Sequence, residues 1–172
     1  MKTIIFCNII NIKYTLLIAF LIIFVSCYPR QIYIKPIIAK NAHNNSAIAV
    51  DMIVVYNHLL LNELKELSAK QWFDSEKEKL KNDQMRSYQY KSILKEWYPG
   101  QIEDIYSITY TSKPLGLIIF ANYSNDGFHR KVLPAYSAIH DTLEIRLKKD
   151  HFECEFINIY KNNKKNYGKH RQ

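Results

Sequence analysis

Glycine is scarce in this chain, at four residues in 172, and Gly100, Gly116, Gly127 and Gly168 stand far apart. Average usage is about 7%, and a loop that cradles a phosphate needs several glycines close together so that backbone amides can approach it. Nucleotide binding through a P-loop or a dinucleotide-binding turn is therefore excluded. Cysteine is sparse too, limited to Cys7, Cys27 and Cys154. Acidic residues are missing from residues 1–27 and from 161–172, so the net charge of +8 belongs mostly to the two ends. Residues 28–160 are close to neutral, which gives no footprint for a nucleic-acid partner. The basic segment 161–172, with Lys161, Lys164, Lys165, Lys169 and Arg171, reads as a solvated polar tail; contact with anionic lipid or an acidic partner is its other reading.

The N-terminus carries Lys2 and Lys13, no acid, and then a mostly apolar run from Tyr14 to Val25 that ends in Phe24-Val25-Ser26-Cys27 before Tyr28-Pro29-Arg30. A positive flank followed by a short apolar stretch is the pattern of an export signal. Roughly 20 apolar residues are needed to cross the hydrocarbon core, so this run favours cleavage over a permanent span. Phe24-Val25-Ser26-Cys27 resembles the lipobox of bacterial lipoproteins, with phenylalanine in place of the usual leucine. An uncleaved anchor or a coincidental cysteine are the alternatives. On the lipobox reading, residues 1–26 leave, Cys27 is acylated, and Cys154 is the single thiol of the folded part. No intramolecular disulfide is then possible, and an ordinary apolar core must hold the domain.

Along the remaining chain the hydrophobic period changes twice. Residues 31–39 alternate as a strand, with Ile32 and Ile34 on one face, and Pro36 points to an edge position or a strand end. Residues 47–56 form a second strand in which Ile48, Val50, Met52 and Val54 share one face and Asp51, Ile53 and Val55 the other. Leu60, Leu61, Leu64 and Leu67 then recur at helical spacing. Ser68 and Gln71 make a capping box for a second helix carrying Trp72, Phe73, Glu76 and Leu80, so a helical insertion spans 58–83. Its polar face, Glu76 to Lys81, alternates sign in Glu-Lys-Glu-Lys and reads as a solvated face. Strands return at 87–97, closed by Pro99-Gly100, at 105–110 and at 115–122. A hairpin follows, with Leu143, Ile145 and Leu147 opposite Phe152, Cys154 and Phe156. About seven strands with one helical insertion predict a mainly β protein, a β-sandwich over residues 27–160.

Chemistry is hard to assemble from these residues. His151 and Cys154 lie three apart on a strand, which puts them on opposite faces, and Cys154 alternates with two phenylalanines as a buried thiol does. His140-Asp141 matches a metal-binding dipeptide of phosphohydrolases, but it leads into a strand and lacks partner histidines. His43, His58, His129 and His170 show no ligand spacing. Glu103-Asp104 follows a turn, where solvent rather than an apolar pocket is the default. Asn44-Asn45-Ser46 and Asn122-Tyr123-Ser124 fit the glycosylation pattern, but beside a lipobox they read as polar loops. Thirteen tyrosines, eight phenylalanines and two tryptophans supply core and contact area. Neither catalytic residues, nor a metal, nor a cofactor is expected, and binding is the favoured class of function.

The order of lipobox, first strand, loop opening at Asn41, apolar strand 46–56 closing in Tyr56, helical insertion, Pro99-Gly100 and strand 117–123 resembles the outer-membrane lipoproteins of type VI secretion systems, the TssJ (SciN) family. The helical region is longer than in that family, the basic tail is extra, and Trp97-Tyr98 replaces a leucine before Pro-Gly. The resemblance implies a transthyretin-like β-sandwich tethered to the periplasmic face of the outer membrane and bound to the periplasmic part of the large inner-membrane protein TssM. It implies further that the loop between the first two strands, here Asn41, Ala42, His43, Asn44, Asn45 and Ser46, carries much of that contact, with Asn41 the directly matched position. Tyr28 after the cysteine, in place of an aspartate, favours outer-membrane sorting. A lipoprotein of other duty, in ligand binding or envelope maintenance, is the alternative.

The lipobox generates the first prediction. Mass spectrometry of the membrane-extracted protein is expected to show a mature N-terminus at a triacylated Cys27, and Cys27→Ala is expected to abolish both processing and acylation. An uncleaved N-terminus in the wild type would refute the assignment.

Overall fold

The computed structural model describes residues 30–83, 86–110, 112–134 and 142–157. Residues 1–29, with the segment read as a signal and Cys27, the His140-Asp141 dipeptide and the basic residues 161–172 lie outside them. Among the described residues, eight strands form two four-stranded sheets. In chain order they are β1 (Arg30–Ile38), β2 (Ile48–Val55), β3 (Tyr90–Trp97), β4 (Tyr106–Tyr110), β5 (Gly116–Ala121), β6 (Arg130–Pro134), β7 (Thr142–Leu147) and β8 (Phe152–Ile157). One sheet has the order β4-β1-β7-β8 and the other β3-β2-β5-β6. Between β2 and β3 lie α1 (His58–Glu66), the short α2 (Ala69–Gln71), a π turn (Trp72–Glu76) and α3 (Lys77–Asn82).

The mainly β sandwich with a helical insertion is as the sequence predicts, with one strand more. β6 escapes the alternation test because Arg130, Lys131 and Pro134 leave only Leu133 buried in it. A second difference concerns Pro36. β1 is not an edge strand; it lies between β4 and β7, where Pro36 stands opposite Ile145 in a parallel ladder. β4 has five residues against the nine of β1, so part of β1 lacks a neighbour on that side, and only in such a stretch would a residue without an N–H cost no ladder bond.

The interior between the sheets is built by alternation. Ile32, Ile34 and Ile38 of β1, Val50, Met52 and Val54 of β2, and Leu143, Ile145 and Leu147 of β7 are buried in one cluster with Trp97 and Cys154. Each strand contributes every second residue because successive side chains point to opposite faces. The outer face of the β4-β1-β7-β8 sheet is polar. Lys35 pairs with Glu144 at 2.8 Å, and Arg146 joins Glu144 to Glu155, so an acid opposite another acid in the register is bridged by a cation.

The outer face of the other sheet is covered by the helical insertion. Ile53 and Val55 of β2 and Ile118 and Phe120 of β5 meet Leu60, Leu61, Leu64, Ala69, Trp72 and Leu80 in a second buried cluster. β2 is therefore buried on both faces. The capping box is formed: Ser68 N–H donates to Gln71 Oε1 at 2.9 Å and Gln71 N–H to Ser68 Oγ at 3.2 Å. α1 comes so close to β5 that a β-carbon on Gly116 would stand 2.9 Å from Leu61 Cδ1.

Asp51 sits on that covered face with no solvent exposure. Its carboxylate accepts from Trp72 Nε1 at 3.2 Å and Ser92 Oγ at 2.6 Å and pairs with Lys77 Nζ at 2.9 Å. Lys77 thus leaves the solvated face that the alternating charges suggested. The cause is the π turn, whose Lys77 N–H bonds to Trp72 C=O. Five residues apart on an α-helix point about 140° away from each other, whereas an i to i+5 turn brings both toward one carboxylate. Trp72 also stacks on Phe120 at 5.2 Å.

A buried charge that loses one partner is left uncompensated, at about 3–5 kcal/mol. Asp51→Ala and Lys77→Ala are each expected to destabilise by about 3 kcal/mol in urea unfolding, with the double variant costing much less than the sum. Additive losses would contradict a coupled pair.

Candidate functional site

Strand direction brings four connections to one end of the sandwich. β1 and β7 are parallel and both end there, β2 begins there, and β3 and β5, antiparallel to β2, also end there. The loops at this end are residues 39–47, 98–105, 122–129 and 148–151. Gln31, at the start of β1, lies at the opposite end, as do the connections to the helical insertion.

Residues 41–46 form a tight loop around a 3-10 turn, Ala42–Asn45. Ala42 is fully buried, and its N–H donates to Ala39 C=O at 3.0 Å. Asn41, Asn44, Asn45 and Ser46 are exposed and His43 is half-buried. Three consecutive residues hold left-handed backbone, His43 at φ 45, Asn44 at φ 52 and Asn45 at φ 69. Asparagine tolerates this region because its short amide bonds locally. His43 is held there by bonds to its neighbours.

The holding bonds come from three neighbours. His43 N–H donates to Lys148 C=O at 3.2 Å. The ring Nε2 accepts from Ser124 N–H at 2.9 Å, which leaves the proton on Nδ1, where it is donated to Ala47 C=O at 3.0 Å. Ser124 Oγ also lies 3.1 Å from Nε2. The ring stands edge-on to Tyr123 at 5.3 Å, and Tyr123 stacks on His129 at 4.9 Å.

Tyr123 links the other loops. Its hydroxyl lies 2.7 Å from His151 C=O and 3.0 Å from Lys148 C=O, sharing one proton between two carbonyls of the β7–β8 turn. Burial pushes the phenol pKa up, so it stays a neutral donor. Asn125 Nδ2 adds a bond to Asp150 C=O at 3.0 Å, and His129 Nε2 donates to Asn125 C=O at 2.9 Å. The result is a cross-braced platform carrying exposed asparagines.

Residues weighed as catalytic are placed apart. Cys154 is buried, its thiol pushed up to about 12 by desolvation. His151 faces the turn and bonds Asp150 Oδ1 at 2.6 Å, which lowers the Asp150 pKa. Glu103 accepts from Gln101 Nε2 at 2.9 Å, while Asp104 is exposed. Among the described residues no group of three His, Cys, Asp or Glu could hold a metal ion, and no helix is long and apolar enough to cross a membrane. Open clefts of about 260 and 410 Å³ flank the helical insertion, sharing Trp72 in their walls. Sequence reasoning missed the bracing role of Tyr123, Ser124 and His129. Their signal was an aromatic and a histidine inside otherwise polar loops.

The described residues thus form a sandwich of two four-stranded sheets with a helical insertion, braced at one loop-bearing end. The fold is that of type VI secretion lipoproteins. The chain is similar to the T6SS lipoprotein TssJ1 from Pseudomonas aeruginosa, at 14% identity and a TM-score of 0.55, covering 76% of this chain and 98% of that one. It is also similar to Serratia marcescens Lip, a membrane-bound component of the type VI secretion system, at 11% identity and a TM-score of 0.55, covering 73% and 97%. A chain of a type VI membrane complex aligns at 9% identity and a TM-score of 0.53, covering 74% and 99%. No family model and no curated protein matches the sequence.

Tyr123→Phe removes the donor that braces the β7–β8 turn. It is expected to cost about 1–2 kcal/mol and to speed hydrogen exchange in residues 43–46 and 148–151 while β2 and β5 stay protected. Unchanged exchange at both loops would show that the hydroxyl is not the brace.

Proposed function

We propose that this chain is the lipid-anchored outer-membrane component of a type VI secretion membrane complex and binds the periplasmic part of a TssM-like inner-membrane protein through its loop end, without catalysis. The observation that carries the reading is the fold likeness, which spans 97% or more of each of the three secretion-system chains. In this proposal residues 1–26 are the signal peptide, Cys27 bears the acyl chains, 27–160 form the domain and 161–172 a basic tail.

The physical parts fit together. Each acyl methylene buried in the bilayer contributes about 0.8 kcal/mol, and more than one chain makes attachment stable. β1 then runs from Gln31 toward the loops, so the braced asparagines are presented at the end away from the start of the domain. Strained left-handed residues persist only where surroundings over-determine them, and they concentrate at functional sites. The fixed backbone of residues 43–45 means that a partner meets amides already ordered, with less conformational entropy to lose on binding.

Detergent-solubilised, affinity-tagged chain is the material for the test. The wild type is expected to copurify a large inner-membrane secretion protein. A variant with Asn41, Asn44 and Asn45 all changed to Ala is expected to recover about tenfold less of it, and Tyr33→Ala, on the polar face, the same amount as wild type. An acylated protein that brings down no such partner would point to a lipoprotein of other duty.

A further inference from the structure

The asparagine loop is not the only exposed feature at its end of the sandwich. The connection between β3 and β4, residues 98–105, carries three large apolar side chains in the open: Tyr98 at 59%, Ile102 at 94% and Ile105 at 49% exposure. Single exposed apolar residues are ordinary, but three in one short connection are not. Nor is the connection loosely held. Tyr98 N–H donates to Gln101 Oε1 at 3.0 Å, Gln101 N–H returns to Tyr98 C=O at 3.0 Å, and Gln101 Nε2 donates to Glu103 at 2.9 Å. Lys95 lies 3.7 Å from the same carboxylate.

The connection is also bound to the asparagine loop's own base. Gly100 N–H donates to Ala39 C=O at 3.1 Å. Gly100 has φ +72, and a β-carbon there would stand 3.3 Å from Lys40 Cγ. Left-handed backbone and close approach both call for glycine at this position. The two loops are therefore fixed to each other, one presenting amides and the other apolar side chains.

We propose that residues 98–105 form a second part of the partner contact, in which Ile102 enters an apolar socket on the periplasmic partner protein beside the hydrogen bonds made by residues 41–46. The inference rests on the anchoring reading above and adds the residue that supplies the apolar contact. A protein is the occupant that the chemistry selects. Glu103 and Asp104 directly follow Ile102, and insertion into lipid would carry these carboxylates out of water at a high desolvation cost. Asn41, Asn44 and Asn45, in the loop whose base Gly100 contacts, are uncharged and offer amides suited to a polypeptide backbone. A central apolar side chain ringed by polar groups is the usual anatomy of a protein contact.

The test uses the acylated full chain in detergent and the purified periplasmic domain of the TssM-like protein of the same secretion system. Ile102→Asp is expected to weaken binding about tenfold or more with an unchanged thermal midpoint, since Ile102 touches little of its own domain. A photo-crosslinking side chain at position 102 is expected to capture that domain in cells. Undiminished affinity of Ile102→Asp, or a crosslink to lipid or to a second copy of this chain, would overturn this inference and leave the anchoring reading in place. Failure of the wild type to bind the domain would overturn both.

Discussion

A carboxylate with no solvent exposure in the middle of a central strand constrains everything packed around it. Asp51 would cost several kcal/mol to bury alone, and the chain meets that cost with three donors from three places: Trp72 and Lys77 from the helical insertion and Ser92 from β3. Those donors must arrive together. Trp72 and Lys77 do so because the helix opens into a π turn between them, and Ser92 does so because β3 pairs with β2 in a register that sets it opposite Ile53. One polar group thereby fixes a helix geometry, a strand register and the seating of the insertion. Apolar contacts around Phe120 and Leu64 supply most of the driving force, but they are tolerant of small shifts; a three-donor carboxylate is not.

Fixing the insertion there has consequences elsewhere. Helices cover much of one sheet, and an ion-paired ladder runs across the other. The end of the sandwich where four connections meet is braced from within. Three of those loops are tied by His43, Tyr123 and Asn125, the fourth by Gly100 to Ala39, so the surface left for partners has little freedom to lose.

Much of this was legible in the sequence because period and burial coincide. β2 announced two buried faces through Ile48, Val50, Met52 and Val54 on one side and Ile53 and Val55 on the other, and the capping box at Ser68 and Gln71 marked a helix start that the structure keeps. β6 was illegible because an edge strand with Arg130, Lys131 and Pro134 has almost no apolar alternation to read. The ion pair of Lys77 with Asp51 was hidden for a different reason: an i to i+5 turn obeys neither of the two periods used to assign faces. The loop end was legible only as composition. That residues 41–46 are polar follows from their letters, whereas the bracing of His43 by Ser124 and of the β7–β8 turn by Tyr123 depends on contacts between segments far apart in sequence, which no local pattern encodes.

The charge distribution bears on how such a domain would work at a membrane. The excess of positive charge lies in residues 1–27 and 161–172, while 28–160 are near neutral. A near-neutral domain gains little from long-range steering by a charged partner or surface, so the contact proposed above would depend on short-range terms, hydrogen bonds from residues 41–46 and apolar burial at Ile102. Contacts of this kind are slow to find at random but benefit from confinement, because holding the domain at one surface raises the effective concentration of its loops toward anything that reaches the same layer. An acylated Cys27, three residues ahead of the start of β1 at Arg30, would supply that confinement. In the proposed reading, anchor and braced loops would be complementary, one removing translational freedom and the other conformational freedom, so that each would bind weakly without the other.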